Sequence, residues 1–443
     1  MRANRFVRTD AQLGSAPVCD QARPVSATPE LARPLQRLAA IEGLRAYLAL
    51  WVLVCHVMWS SGYELSALSM IPKILAKGRY AVEVFMIISG FVIFFLLDKK
   101  RENYAAFITR RFFRIFPAFL VLFVLAIPGS ILVLWNTAHA PYLSYEHARD
   151  LVQLIQSWWS NIEWHVPLHL LMLHGAVPPA LLEGSSMAFL APAWSLSTEW
   201  QFYLIAPAVF ALATSSRARH RVALCAACVG IFVLAKAATR VFPESDSNAA
   251  LPSLIEFFFV GAASYFLYKR NAEKPFFDSA FPVFASIGVF LFVLGGTSRA
   301  QLVPLVLWIM FFGLILEHPA SVCSRLISPL FTHRLPQFLG RISYSLYLSH
   351  MLLMGIAQFC ILNLAPGLPR PVHFVLLLVA TFLASVGVSA ALYRYLEVPA
   401  MELGKRLGNK FATAPGETLL LRPTHRRKRW FQTAAVPAQS VQK

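Results

Sequence analysis

The sequence has little charge. Of its 443 residues only 14% are Asp, Glu, Lys or Arg, while 57% are hydrophobic and the mean hydropathy is +0.57. A soluble domain carries about 25% charged residues, so an ordinary water-soluble globule is excluded. Acidic residues are the scarcer kind, 22 against 40 Lys and Arg, for a net charge of +18. Such a balance invites a nucleic-acid partner. The basic residues, however, gather in short loops and tails between apolar runs, which is the pattern of a membrane protein, and no nucleic acid is expected. Cysteine is sparse and scattered at Cys19, Cys55, Cys225, Cys228, Cys323 and Cys360. No disulfide framework is implied. Cys225 and Cys228 have a redox or zinc spacing, but they lie in an apolar run with no second pair and no βαβ pattern. No cleavable signal peptide, no repeat and no attached soluble domain of globular size is evident.

What is present is apolar sequence, in runs of about 17–25 residues along almost the whole length. The chain reads as an all-α polytopic integral membrane protein. Ten spans are expected, at roughly 44–60, 80–97, 115–135, 199–213, 221–240, 251–268, 281–296, 301–317, 341–361 and 372–395. Lys99, Lys100, Arg101, Arg110, Arg111 and Arg114 precede the third span. Arg217, Arg219 and Arg221, then Lys269, Arg270 and Lys274, then Arg325, Arg334 and Arg341 fall on the same side. So do the arginine-rich N-terminal stretch and the C-terminal run Arg426-Arg427-Lys428-Arg429. Both termini are therefore expected in the cytoplasm. One loop disagrees, with Lys73, Lys77 and Arg79 outside. Residues 1–38 read as a disordered cytoplasmic tail, 39–402 as the transmembrane domain and 403–443 as a basic cytoplasmic tail. Segment 136–198 is long, poor in basic residues, and carries Trp158, Trp159 and Trp164. It reads as an outer interfacial or re-entrant lid.

The first span holds the pair that organises the chain. Arg45 and His56 stand eleven residues apart. At about 100° and 1.5 Å per residue they share one face, roughly 16 Å apart along the axis. Ionisable groups inside a bilayer are costly and usually functional, although a buried histidine can also be hydrogen-bonded glue. Glu83 enters the second span at the expected depth of His56. It pairs either with His56, charging the imidazole, or with Arg79 one turn away. Arg111 and Arg114 lie on one face of the third span and serve either as a cytoplasmic anchor or as a phosphate fork. The fourth span opens Pro192-Ala-Trp194-Ser-Leu-Ser197-Thr198-Glu199-Trp-Gln-Phe-Tyr203. Its Glu199 suits a helix N-terminus and is also expected at the outer edge, level with His56. His350 falls at mid-membrane in the ninth span, and Arg394 and Glu397 are spaced to pair at i,i+3. His165, His169 and His174 make a loose set, but Pro167 breaks the face they would need, and no metal is expected.

Taken together these motifs resemble the acyltransferase-3 family of integral membrane O-acyltransferases. They are the Arg-x10-His of Arg45 and His56, the acid-x-Phe…Ser-Gly-Phe around Glu83, Arg111-x-x-Arg114 with Pro117, and the Trp-Ser-Leu-Ser-x-Glu opening of span four. Ile-Ser-Tyr-Ser-Leu-Tyr-Leu-x-His up to His350 and Glu397-x-Pro399 complete the set, over about residues 38–402. Glu83 stands where the family commonly has Asp. Many relatives carry an esterase-like domain after the last span; here a basic tail follows, and a relay to a fused soluble domain is not expected.

The resemblance implies transfer of an acyl group, usually acetyl from acetyl-CoA, to a carbohydrate hydroxyl, with acyl-CoA as donor substrate and no permanently bound cofactor. Acceptors of relatives include lipopolysaccharide O-antigen, peptidoglycan, exopolysaccharide, lipid-linked sugars and some antibiotics. A bacterial inner (plasma) membrane location follows. In this reading Arg111 and Arg114 hold the donor phosphates. His56 acts as general base or as nucleophile, with Arg45, Glu83 and Glu199 in the catalytic set. Trp194, Ser197, Tyr203 and His350 bind the acceptor. The competing class is a transporter for a glycan intermediate or acyl compound, but no paired broken helices mark two related halves.

Overall fold

Long apolar runs with the helical period become helices because only a helix satisfies its own backbone inside hydrocarbon. The computed structural model describes residues 29–63, 70–100, 102–224, 226–227, 230, 249–273, 280–295, 302–318 and 321–412. The remaining residues lie outside the description. They include most of the expected span 221–240 with Cys225 and Cys228, the run from Arg426 to Arg429, and residues 1–28. Among the described residues no strand occurs.

The helices are α1 (Pro29–Ser60), α2 (Met70–Leu75), α3 (Arg79–Lys100), α4 (Tyr104–His139), α5 (Tyr145–Ser160), α6 (Ile162–Leu170) and α7 (Trp194–Ala213). After them come α8 (Ile255–Glu273), α9 (Ala280–Gly295), α10 (Leu302–Leu316), α11 (Val322–Thr332), α12 (Arg334–Arg341), α13 (Ser343–Leu364), α14 (Arg370–Leu392) and α15 (Val398–Ala412). Among the described residues five stretches are long and apolar enough to cross a membrane: Ala39–Ser60, Arg79–Lys100, Tyr104–His139, Ser343–Leu364 and Arg370–Phe411. The protein is a multi-pass helical membrane protein. Four further expected spans fall on α7, α8, α9 and α10. Helix α1 starts at Pro29, inside the stretch read as a tail, with proline at the first helical position where its missing N–H is harmless. Helix α15 likewise runs beyond residue 402, to Ala412.

Helix α1 is the hub. It packs against α3, α11, α12, α13 and α14. Helices α3 and α8 meet backbone to backbone. A Cβ on Gly90 would lie 2.1 Å from the Phe258 carbonyl oxygen, and one on Gly261 would lie 2.0 Å from that of Ile87. Small residues permit this approach, which replaces the absent hydrophobic drive between helices in lipid with close packing. Between α14 and α15 the chain makes one π-helical turn, Tyr393–Glu397, that turns the Glu397 side chain into the protein, where it is 1% exposed.

Segment 136–198 folds over one end of the bundle. Its α5 is capped by Ser144, and its Trp164 and Leu171 face outward. Met172 and Phe189 both have positive φ, 54° and 59°, a region unfavourable for side-chain-bearing residues. The strained loop is tied to α7 by Ser197, which donates to the Met172 carbonyl at 2.8 Å and accepts from the Gly175 N–H at 3.0 Å.

Candidate active site

Helices α1, α3, α4, α7 and α13 enclose a cavity of about 130 Å³. Arg45, Ser89, Arg111, Arg114, Ser195, Glu199, Tyr203 and Tyr347 supply its polar wall. Tyr203 donates to Glu199 Oε1 at 2.5 Å, and Ser89 donates closely to the same oxygen. The carboxylate is thus held by two hydroxyls on a shared wall with three guanidiniums. This differs from the expected depth. Glu199 bonds Ser89, six residues further along α3 than Glu83, which is about 9 Å deeper. The reason is local: α7 begins at Trp194, so Glu199 sits in its second turn rather than at its mouth.

The three arginines are not equivalent. Arg114 Nη1 reaches Glu397 Oε2 at 2.8 Å, and Ser345 donates to the other carboxylate oxygen at 2.5 Å. Its charge is offset within the bundle. Glu397 therefore does not take Arg394, whose guanidinium lies over the Tyr395 ring instead. Neither Arg45 nor Arg111 bonds a carboxylate among the described residues, and the Nε of each is buried without a partner. The Arg111 guanidinium rests over the Phe107 and Tyr203 rings at 5.9 and 6.0 Å. Two guanidiniums without a carboxylate partner on one partly enclosed cavity favour negative charge beside them. Arg111 and Arg114, grouped by their spacing in the sequence, thus share the cavity with Arg45, and of the three only Arg114 has a carboxylate partner among the described residues.

His56 lies one layer away and does not line the cavity. Its Nδ1 stands 2.9 Å from the Val52 carbonyl oxygen and 3.1 Å from His350 Nε2. His350 is fully buried, with Nδ1 2.6 Å from the Tyr347 carbonyl oxygen. Tyr347 bridges the two regions: its ring packs on His350 with centroids 6.1 Å apart, and its hydroxyl meets that of Ser195 at 2.9 Å. Glu83 takes the second alternative left by the sequence. It pairs with Arg79 at 3.0 Å, one turn away on its own helix, while His56 is rotated toward α13. Arg79 also covers the Trp194 ring at 5.8 Å. Of the side chains assigned to the acceptor, Tyr203 lines the cavity, His350 meets His56, and Trp194 sits under Arg79. Ser197 is fully buried and committed to the loop. Sequence reasoning gave no role to Ser89 or Tyr347. Glu397 stood in a motif with Arg394 as its expected partner, and the structure gives it Arg114 instead.

His165, His169 and His174 of the outer segment are all buried. The rings of His169 and His174 stack at 3.9 Å and 5°, and Phe123 continues the stack at 4.6 Å from His169. Burial pushes His174 down to about 4 and His169 well below the ordinary histidine range. Among the described residues no group of three or more His, Cys, Asp or Glu is arranged to hold a metal ion.

The family described as "Acyltransferase domain" matches residues 38–393. The chain belongs to the acyltransferase-3 family. Acyltransferase MdmB of Streptomyces mycarofaciens is 30% identical over 226 residues, 50% of this chain and 52% of its own. Peptidoglycan O-acetyltransferase OatA of Listeria monocytogenes is 23% identical over 401 residues, 82% of this chain and 56% of its own. O-acetyltransferase OatA of Staphylococcus aureus is 22% identical over 407 residues, 83% of this chain and 58% of its own. The chain thus spans about half the length of these curated relatives. No solved structure matches. The acyltransferase-3 match takes in the whole cavity, the His56–His350 pair and the outer segment, and ends just before Glu397.

Proposed function

We propose that this acyltransferase-3 chain moves an acetyl group from cytosolic acetyl-CoA to a hydroxyl of a cell-surface or lipid-linked carbohydrate. It works in the bacterial inner membrane, on ten spans with both termini in the cytoplasm. The observation that carries the reading is the cavity on which Arg45 and Arg111 present charge that no carboxylate among the described residues pairs with, beside half-buried His56 and fully buried His350. The donor's phosphates are polyanionic, and guanidinium groups bind phosphate through paired N–H donors. From there the pantetheine arm carries the thioester toward His56. His56 removes the proton of the acceptor hydroxyl as its oxygen attacks the thioester carbon. The C–S bond breaks and the coenzyme A sulfur leaves with the proton His56 had taken. Glu199, held by Ser89 and Tyr203, and Trp194 under Arg79 meet the sugar. The two O-acetyltransferases among the relatives support the acyl chemistry.

The test uses purified protein in lipid nanodiscs with radiolabelled acetyl-CoA, together with mass spectrometry of surface glycans from cells with and without the gene. His56→Ala abolishes acetyl transfer while leaving the protein monodisperse. Arg111→Gln and Arg45→Gln each raise the KM for acetyl-CoA about 10–100-fold, the worth of a charge-assisted hydrogen bond. Wild-type transfer by His56→Ala, or glycans that lose no acetyl-sized mass without the gene, refutes the reading.

A further inference from the structure

We infer that His350 is a positioning residue that fixes the tautomer of His56 and leaves the Nε2 lone pair of His56 free. The inference rests on the proposed role of His56 and adds to it which nitrogen reacts and what holds it so. Two backbone carbonyls decide the matter. The Tyr347 oxygen lies 2.6 Å from His350 Nδ1, and the Val52 oxygen lies 2.9 Å from His56 Nδ1. A carbonyl only accepts, so both Nδ1 atoms carry hydrogen. The His56 Nδ1–H faces His350 Nε2, and two N–H groups cannot point at one another, so His350 Nε2 is the acceptor and the ring is neutral. That acceptor stands 3.1 Å from His56 Nδ1, so the His56 proton is shared between His350 and Val52. The opposite assignment would set a ring lone pair against a carbonyl lone pair at both histidines at once.

The consequence is a directional chain from the Tyr347 carbonyl through His350 to His56. It ends on an unprotonated His56 Nε2, the atom that accepts the hydroxyl proton. In a histidine base, the hydrogen bond made by one nitrogen sets the state of the other. His350 itself touches no reacting atom. It is buried in α13 among Ser349, Leu348 and Tyr347, all buried as well, so no solvent competes for its Nε2.

Two measurements test this. In the first, transfer kinetics are compared for His350→Gln, which puts an amide oxygen near the Nε2 position, and His350→Leu, which fills the space without an acceptor. His350→Leu lowers kcat by about 10²–10⁴-fold, the span from loss of an orienting partner to a wrong tautomer, with the KM for acetyl-CoA within twofold of wild type. His350→Gln recovers at least tenfold of that loss. In the second, the wild-type protein labelled with ¹⁵N-histidine is studied by solid-state NMR, with His56 assigned by its absence from His56→Ala. His56 Nδ1 carries the proton and Nε2 does not. A glutamine variant no faster than the leucine variant, or a His56 proton found on Nε2, overturns the inference. If His56→Ala transfers acetyl normally, the catalytic reading fails by itself, while the spectrum still decides the tautomer.

Discussion

Arg114 and Glu397 offer the sharpest test of which arginine serves structure and which serves ligand. The pair is 2.8 Å apart, with the Glu397 side chain 1% and the Arg114 side chain 21% exposed. At that distance and an effective dielectric of about 20 the attraction is about 6 kcal/mol. Glu397→Gln removes the charge and leaves one carbonyl oxygen, which can face an Arg114 N–H while the amide NH2 donates to the Ser345 hydroxyl. Arg114 also retains the Tyr344 ring, 5.7 Å away, and the Met401 sulfur. The net loss is therefore nearer about 3 kcal/mol, the low end for a buried pair deprived of one partner. Arg114→Met with Glu397→Met removes both charges together, and most of that loss returns. The assay is thermal unfolding of the wild type, both single variants and the double variant in detergent, read by tryptophan fluorescence. A Glu397→Gln protein as stable as wild type, or a double variant as unstable as the sum of its singles, refutes the coupling and returns Arg114 to the proposed donor site.

Two further predictions concern the scaffold. Gly90→Ala places a methyl 2.1 Å from a backbone oxygen that cannot rotate away. The helices must part, at a cost of about 3 kcal/mol despite the better helix propensity of alanine; an unchanged melting temperature would dismiss the close contact. The buried histidines make the outer segment acid-sensitive. His174 falls from 6.5 to about 4 in the folded protein, so stability is lost as pH drops through about 6.5 and the loss levels off near 4, up to about 3 kcal/mol for this group. Melting temperatures at pH 7.5 and 5 measure it, and His174→Phe flattens the profile; an equally steep profile in that variant would remove His174 as the cause.

The helices were legible because hydrophobic runs and bilayer thickness set them with no need for tertiary detail. The grouping of Arg45 with the arginines of the third span was legible too, but that Glu199 joins them on one cavity was not, since the sequence sets it toward the outer side. The pairings were not. Glu397 finds Arg114 from 283 positions away, and which way two helices are rotated about their axes is decided by packing that no local spacing records. Glu83 illustrates the same limit: two partners lay within reach, and the nearer one on its own helix won. The depth of Glu199 failed for a smaller reason. The Ala191–Ala193 turn and the start of α7 at Trp194 shift the helix by more than one turn from where hydropathy alone begins it.

The glycine contact between α3 and α8 also bears on how a substrate gets in. With backbone against backbone, these two helices form a single rigid plate, and from it Ser89, Val92, Ile93 and Phe258 project into the cavity. Around the glycines that seam is filled by aromatic side chains, with Phe91 and Phe95 of α3 against Tyr265 of α8 and Phe94 against Phe266, so little space is left for either helix to shift. A cavity of about 130 Å³ is smaller than acetyl-coenzyme A. Opening it therefore falls to the facing side, where α1, α4, α7 and α13 meet through long side chains, and where the arginines, Tyr347 and the histidine pair all sit. The chamber behaves like a bench with one fixed jaw, and the groups proposed to grip the substrate ride on the jaw that moves.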